Sequence, residues 1–195
     1  MLKYLTRVII CVFLFVFFLS GILSARDDME VSIETTSKIT AGKWTLPYVS
    51  AHSAILIDAQ TGDILYERDA YTQRPPASTT KVLTAITALD IAEIDEISTV
   101  SEKADRVGES SIYLNKGNKL ALGELIEGAL VRSGNDACVA IAEQTAGSFD
   151  EFIRLMNLKA ISLGAYQSNF VNPHGLPDKN HYSTAYDLAV IARYA

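Results

Sequence analysis

The uncharged run from Val8 to Ala25 constrains this chain more than any other feature. It is dominated by Ile, Val, Leu and Phe, follows Lys3 and Arg7, and ends at Arg26-Asp27-Asp28. A segment apolar on every side cannot cover a water-soluble domain. A basic start, an apolar stretch and the small residues Ser20, Gly21, Ser24 and Ala25 fit a secretory signal. The run also approaches the length of a membrane-spanning helix, so a retained anchor is the alternative. Residues 1–25 are therefore expected to export the chain to the cell envelope, and the fold must be built from the residues C-terminal to them.

Residues 26–48 are rich in Ser, Thr, Asp and Glu without periodicity, as in an extracytoplasmic tether. From Ser53 the pattern becomes structural. Ser53 to Asp58 reads as a buried strand, Gln60-Thr61-Gly62-Asp63 as a turn, and Ile64 to Arg68 as the returning strand. Val82, Leu83, Ile86 and Leu89 then recur at helical spacing behind Pro75-Pro76, which predicts a helix from Ser78 to about Ala92. Thr99 to Lys103 reads as a short extended piece. Further helices are predicted over Leu122–Arg132 and Asp136–Ala146, then from Ser148 with Phe149, Phe152, Ile153 and Met156 on one face. A loop spans Asn169–His181, and Ser183-Thr184-Ala185 opens a last helix. Strands first and helices after predict an α+β or three-layer domain. A lone hairpin cannot bury its inner face or satisfy both edges. The expectation is a domain, residues 49–195, truncated before its C-terminal strands.

Charge and cysteines exclude several functions. The net charge is -6, with no basic cluster beyond the N-terminus, so nucleic acid is not an expected partner. Cys11 lies in the apolar run, which leaves Cys138 without a disulfide partner and reading as a small core residue. No metal-ligand spacing or phosphate loop is present, and no cofactor is expected.

Two motifs carry chemistry. In Ser78-Thr79-Thr80-Lys81 the outer residues are one helical turn apart, so the Lys81 amine can reach the Ser78 hydroxyl. A serine becomes a nucleophile when a base takes its proton, and a lysine serves when burial lowers its pKa. A helix start also aims free backbone N–H groups where an oxyanion would form. The motif alone is weak, because S-x-x-K arises roughly once by chance in a chain of this length. In Ser133-Gly134-Asn135, a hydroxyl and an amide project from the break between two helices. Taken alone, it reads as an ordinary helix stop.

Together the motifs resemble the penicillin-recognising serine enzymes, whose signatures are S-x-x-K, S-[DG]-N and K-T-G. Pro76-Ala77-Ser78-Thr79-Thr80-Lys81, Ser133-Gly134-Asn135-Asp136-Ala137, Asn172-Pro173-His174-Gly175-Leu176 and Tyr182-Ser183-Thr184-Ala185 are most similar to the D-alanyl-D-alanine carboxypeptidases, the low-molecular-weight penicillin-binding proteins. The resemblance implies a β-lactamase/transpeptidase-like fold, a helical cluster packed on an antiparallel sheet. It implies Ser78 as acyl-enzyme nucleophile, Lys81 as general base, Ser133 as proton relay and Asn135 as holder of the substrate backbone. The implied substrate is a peptidoglycan stem peptide ending in D-Ala-D-Ala, with β-lactams as covalent inhibitors and the membrane reached through the N-terminal segment. No K-T-G is present, and its expected place is beyond Ala195; the 195-residue chain alone is expected to be inactive. The alternatives are a serine β-lactamase, which would need a Glu where Asn172–Leu176 stands, and a catalytically silent wall-binding homologue. His174 reads as a structural loop histidine and Asp187 as a match to the dipole of the last helix.

Overall fold

The computed structural model describes residues 48–195. The N-terminal segment 1–25, all but the last residue of the tether, and Cys11 lie outside the described residues. Strand β1 (Ala54–Ile57) pairs antiparallel with β2 (Ile64–Arg68), Ala54 opposite Arg68 and Leu56 opposite Tyr66. Their turn is wound on Asp58, whose Oδ1 accepts the N–H groups of Gln60 and Thr61, both at 2.8 Å. Gly62 has φ +82°, and a Cβ there would lie 2.6 Å from the Arg193 guanidinium. That guanidinium donates to the carbonyls of Ala59 and Gln60, fastening the turn to the last helix. β1 is half-buried rather than buried: Leu56 is 56% exposed, because helix packing covers only the opposite face.

A 3-10 turn, Ala77–Thr79, leads into helix α1 (Thr80–Leu89). Strand β3 (Ile97–Thr99) follows, then α2 (Glu102–Arg106). Residues Thr99 to Lys103 are thus not the single extended piece that the sequence predicts. Ser101 Oγ accepts the Ala104 N–H at 3.1 Å, so the serine caps a helix instead of continuing a strand. β3 pairs with β4 (Lys119–Ala121), a strand too short to show periodicity in the sequence. Helices α3 (Leu122–Val131), α4 (Asn135–Ala146) and α5 (Phe149–Leu163) come next, and α6 (Ala185–Tyr194) ends the chain.

Helix α4 is central, packed against α1, α2, α3, α5 and β3. That position explains its run of small apolar residues, since every residue from Asn135 to Ala142 is buried. Phe152 and Met156 of α5, Leu83 of α1, Leu122 and Leu125 of α3 and Ile191 of α6 fill the space around it. Burying a large apolar side chain contributes about 1.5–3 kcal/mol, so this cluster is the main source of stability. Helix α6 packs on β1 and α5, placing the helical layer against the β1–β2 sheet.

Candidate active site

Ser78 is exposed at the surface, and Lys81 lies beneath it with 2% of its area accessible. The nucleophile candidate sits in the 3-10 turn, one residue before the N-cap of α1 gives way to the helix. Ala77, ahead of it, has φ +49°, which turns the chain sharply between Pro76 and the helix. Lys81 Nζ donates to Ser78 Oγ at 3.2 Å, and Ser133 Oγ donates to Ser78 Oγ at 2.9 Å. Three of the four residues singled out in the sequence thus converge, across a separation of 55 residues.

The second motif departs from the expected helix stop. Its left-handed residue is Ser133, at φ +57°, not Gly134. Gly134 is needed for space: a Cβ there would stand 2.9 Å from Asp136 Oδ1 and 3.1 Å from Ile112 Cγ2. The left-handed serine, disfavoured by about 1–2 kcal/mol, is the conformation in which the hydroxyl meets Ser78. Asn135 makes no hydrogen bond to Ser78, Lys81 or Ser133 among the described residues. It is 3% exposed, and its Nδ2 donates to the Gly108 carbonyl at 2.9 Å while its N–H donates to the Ser110 carbonyl at 2.8 Å. Part of its amide is therefore committed to the neighbouring loop.

That loop, residues 108–114, is clamped by Asp136. The buried carboxylate accepts from Ser111 Oγ at 2.6 Å, Ile112 N at 3.1 Å, Leu114 N at 3.0 Å and Ala137 N at 2.9 Å. Burial alone would raise its pKa, but these donors outweigh it and the carboxyl is held below its ordinary range. Its role is hidden in the sequence, since an Asp in a first helical turn looks like dipole matching.

Behind Lys81 runs the loop 172–176. Lys81 Nζ donates to the His174 carbonyl at 2.7 Å, and Thr84 Oγ1 donates to the Pro173 carbonyl at 2.6 Å. Asn172 ties the loop on itself, its Oδ1 accepting from Gly175 N and its Nδ2 donating to the Leu176 carbonyl. Gly175, at φ +87°, presses on the nucleophile turn; a Cβ there would lie 1.9 Å from the Ala77 carbonyl oxygen and 3.1 Å from Ser78 N. His174 Nδ1 accepts from Leu176 N, and burial pushes its pKa down to about 4. It is a neutral structural histidine. His181 also has partners that the sequence does not reveal: Nδ1 accepts from Val171 N at 3.1 Å, which leaves Nε2–H for Thr80 Oγ1 at 2.9 Å. Asp187 does more than match a dipole, since its Oδ2 accepts from Gln167 N and Ser168 Oγ and anchors the loop that precedes Asn172.

Burial lowers the pKa of Lys81. The nearby Cys138 thiol, itself pushed up to about 12 by burial, is uncharged at neutral pH, so Glu109 is the group that opposes this shift there. Desolvation by protein thus favours the neutral amine, whose lone pair can accept a proton. Among the described residues no cluster of His, Cys, Asp and Glu could hold a metal ion.

The chain is similar in sequence and fold to known proteins. The sequence profile of the family described as D-alanyl-D-alanine carboxypeptidase matches residues 40–195. D-alanyl-D-alanine carboxypeptidase DacF of Bacillus subtilis (strain 168) is 42% identical over 149 residues, covering 73% of this chain and 38% of that protein. DacD of Escherichia coli (strain K12) is 37% identical over 198 residues, covering 96% and 48%. Among solved structures, the D-alanyl-D-alanine carboxypeptidase of Mycobacterium tuberculosis H37Rv superimposes with a TM-score of 0.75 at 34% identity, covering 80% of this chain and 59% of that one. The chain spans about half the length of the curated relatives it matches, or less.

Proposed function

This chain belongs to the D-alanyl-D-alanine carboxypeptidase family, and from that premise we propose that it carries the acylation machinery of a serine peptidase that removes the terminal D-alanine from peptidoglycan stem peptides. The observation that carries the reading is the convergence of Lys81 Nζ and Ser133 Oγ on Ser78 Oγ, at 3.2 and 2.9 Å.

In this reading the neutral Lys81 amine accepts the Ser78 proton as Oγ attacks the carbonyl of the penultimate D-alanine. The His174 carbonyl accepts a hydrogen from the same amine and orients it, so that its lone pair faces Ser78. Negative charge develops on the carbonyl oxygen, and the Ser78 N–H, at the start of the helix, stabilises it. The Lys81 proton passes through the Ser133 hydroxyl to the departing D-alanine nitrogen, and the C–N bond breaks to leave an ester on Ser78. Water then attacks the ester, Ser78 recovers its proton, and the shortened peptide leaves. The remaining N–H of the Asn135 amide holds the backbone of the acyl donor. β-Lactams acylate Ser78 by the same attack, their ring nitrogen taking the place of the departing amine. A main-chain carbonyl, not a carboxylate, is what the 172–176 loop brings to Lys81, which disfavours a β-lactamase that uses a Glu to activate its deacylating water. The substrate lies outside the cytoplasmic membrane, and residues 1–25 are the segment that would take the protein there.

The test uses the protein expressed from its native gene. A fluorescent penicillin should label it covalently, and Ser78→Ala should abolish the label. Labelling that persists in Ser78→Ala sinks the assignment.

A further inference from the structure

One buried imidazole joins three pieces of chain behind the site. His181 and Thr80 are 2% and 0% exposed, and His181 Nε2 lies 2.9 Å from Thr80 Oγ1. On the other side of the ring, Nδ1 accepts the Val171 N–H at 3.1 Å. A main-chain N–H can only donate, so Nδ1 carries no proton and Nε2–H is the donor to Thr80. The ring packs edge-on against Phe170, with centroids 5.6 Å apart. Phe170 is itself gripped through its N–H and carbonyl by the Asn157 amide of α5.

The three pieces are those that place Lys81. Thr80 is the first residue of α1 and immediately precedes Lys81. Val171 leads into the rear loop, whose His174 carbonyl takes a hydrogen from Lys81 Nζ, and His181 follows that loop. One turn further along α1, Thr84 Oγ1 donates to the Pro173 carbonyl. Helix and loop are therefore tied before and after Lys81, by Thr80 with His181 and by Thr84 with Pro173. Burial favours the neutral ring, against the opposing pull of Asp178 on its own loop. His174 on the rear loop is neutral, α1 contributes Lys81, and Asp187 of α6 is taken up by Gln167 N and Ser168 Oγ. A protonated ring would set Nδ1–H against the Val171 N–H, two donors with no acceptor between them.

We propose that His181 is a positioning residue for acylation, whose neutral ring fastens the first turn of α1 to the rear loop and so holds the Lys81 amine against the His174 carbonyl beneath Ser78. This rests on the Ser78 peptidase reading. Without the fastening, water reaches Lys81, and the amine loses the desolvation that lowers its pKa. Acylation should then slow by roughly tenfold, part of the cost of a displacement of about 1 Å. The acid limb of its pH profile should also move to higher pH, because the base would be protonated over a wider range.

The experiment measures the rate of fluorescent-penicillin labelling against pH on the protein expressed from its native gene, with circular dichroism to confirm folding. His181→Asn keeps an acceptor for the Val171 N–H but does not reach Thr80, and Thr80→Val removes the hydroxyl at the other end. Both should slow labelling and raise the acid limb, and the double variant should be no slower than the slower single one. Thr80→Ser, which retains the hydroxyl, should restore the rate and the limb. Nitrogen-15 spectra of the wild-type imidazoles should show His181 as the Nε2–H tautomer, a reading that needs no variant to fold. Folded variants with the wild-type rate, a slowed rate with an unmoved acid limb, or the Nδ1–H tautomer each overturn the proposal. If wild type is labelled and Ser78→Ala is not, those results refute His181 alone. Wild type that is never labelled refutes the Ser78 reading and this one with it.

Discussion

Behind Ser78 and Lys81 the site is walled by main chain, whereas the loop on its other side, the front wall, is held by side chains. The rear loop meets the site through the carbonyls of Pro173 and His174 and through the bare Cα of Gly175. The front loop, 108–114, hangs from two side chains of α4, Asn135 and Asp136. A main-chain wall tolerates changes in most of its side chains, and fails where a side chain intrudes on the close approach. A side-chain-held wall fails where its acceptor is lost. The two should therefore break under different substitutions and to different depths.

The largest effect is expected at Gly175. A methyl group there would stand 1.9 Å from the Ala77 carbonyl oxygen, a main-chain atom with no flexible tip to move, and φ +87° disfavours any side chain. Relief requires the loop to withdraw, which takes the His174 carbonyl from Lys81 and shifts the nucleophile turn. Displacement of about 1 Å in such a site costs on the order of 100-fold in rate, so Gly175→Ala should slow penicillin labelling at least that much. Stopped-flow acylation, with circular dichroism to confirm folding, measures it. A folded Gly175→Ala that labels at the wild-type rate would show that the rear wall does not set the site.

Gly175 also shows how far a sequence reading can go. The Ser78–Lys81 contact is legible because it is local, one turn of chain folded on itself. The Ser133–Ser78 contact is legible only through resemblance, because no periodicity connects residues 55 positions apart. The helices α3 to α6 are visible from apolar spacing and from the residues that open them, such as Ser148 and Thr184, whose hydroxyls accept N–H groups of the first turn. Invisible are contacts that use no distinctive side chain: the His174 carbonyl, the missing Cβ of Gly175, and the short strand β4. Asp136 is visible as a letter but not as a clamp, since its donors are mostly backbone N–H groups from a loop 22 to 25 residues away.

The second expected effect tests the front wall. Asp136→Asn keeps one acceptor oxygen and turns an NH2 group toward N–H donors. Leaving buried groups unsatisfied costs about 1–3 kcal/mol, and chemical denaturation should read a loss of that order. Labelling should fall by roughly tenfold, less than in Gly175→Ala, because Ser133 still meets Ser78 while the loop beside it loosens. Hydrogen exchange should rise in residues 108–114 and not in 172–176. Equal loosening of both loops would end the distinction between the walls.

The smallest effect on chemistry, and the sharpest on pH, is expected at His174. Only its carbonyl touches Lys81, so His174→Asn should slow acylation less than about tenfold, the Asn oxygen standing in for Nδ1 as acceptor of the Leu176 N–H. Stability is another matter. Burial pushes the folded pKa down to about 4 from an ordinary value of 6.5. Between those values the unfolded chain binds a proton that the native state refuses. This contribution is whole above pH 6.5, and it is lost as the pH falls toward 4. A shift of that size amounts to roughly 3 kcal/mol at most. His181, whose pKa burial also lowers, adds to the same trend. Thermal melts of wild type should therefore fall steeply between pH 6.5 and 4, and His174→Asn should flatten part of that slope, leaving the share that belongs to His181. If the slope is identical in both proteins, His174 is not kept neutral by the rear wall, and the packing that holds its carbonyl against Lys81 is looser than a 2.7 Å contact requires.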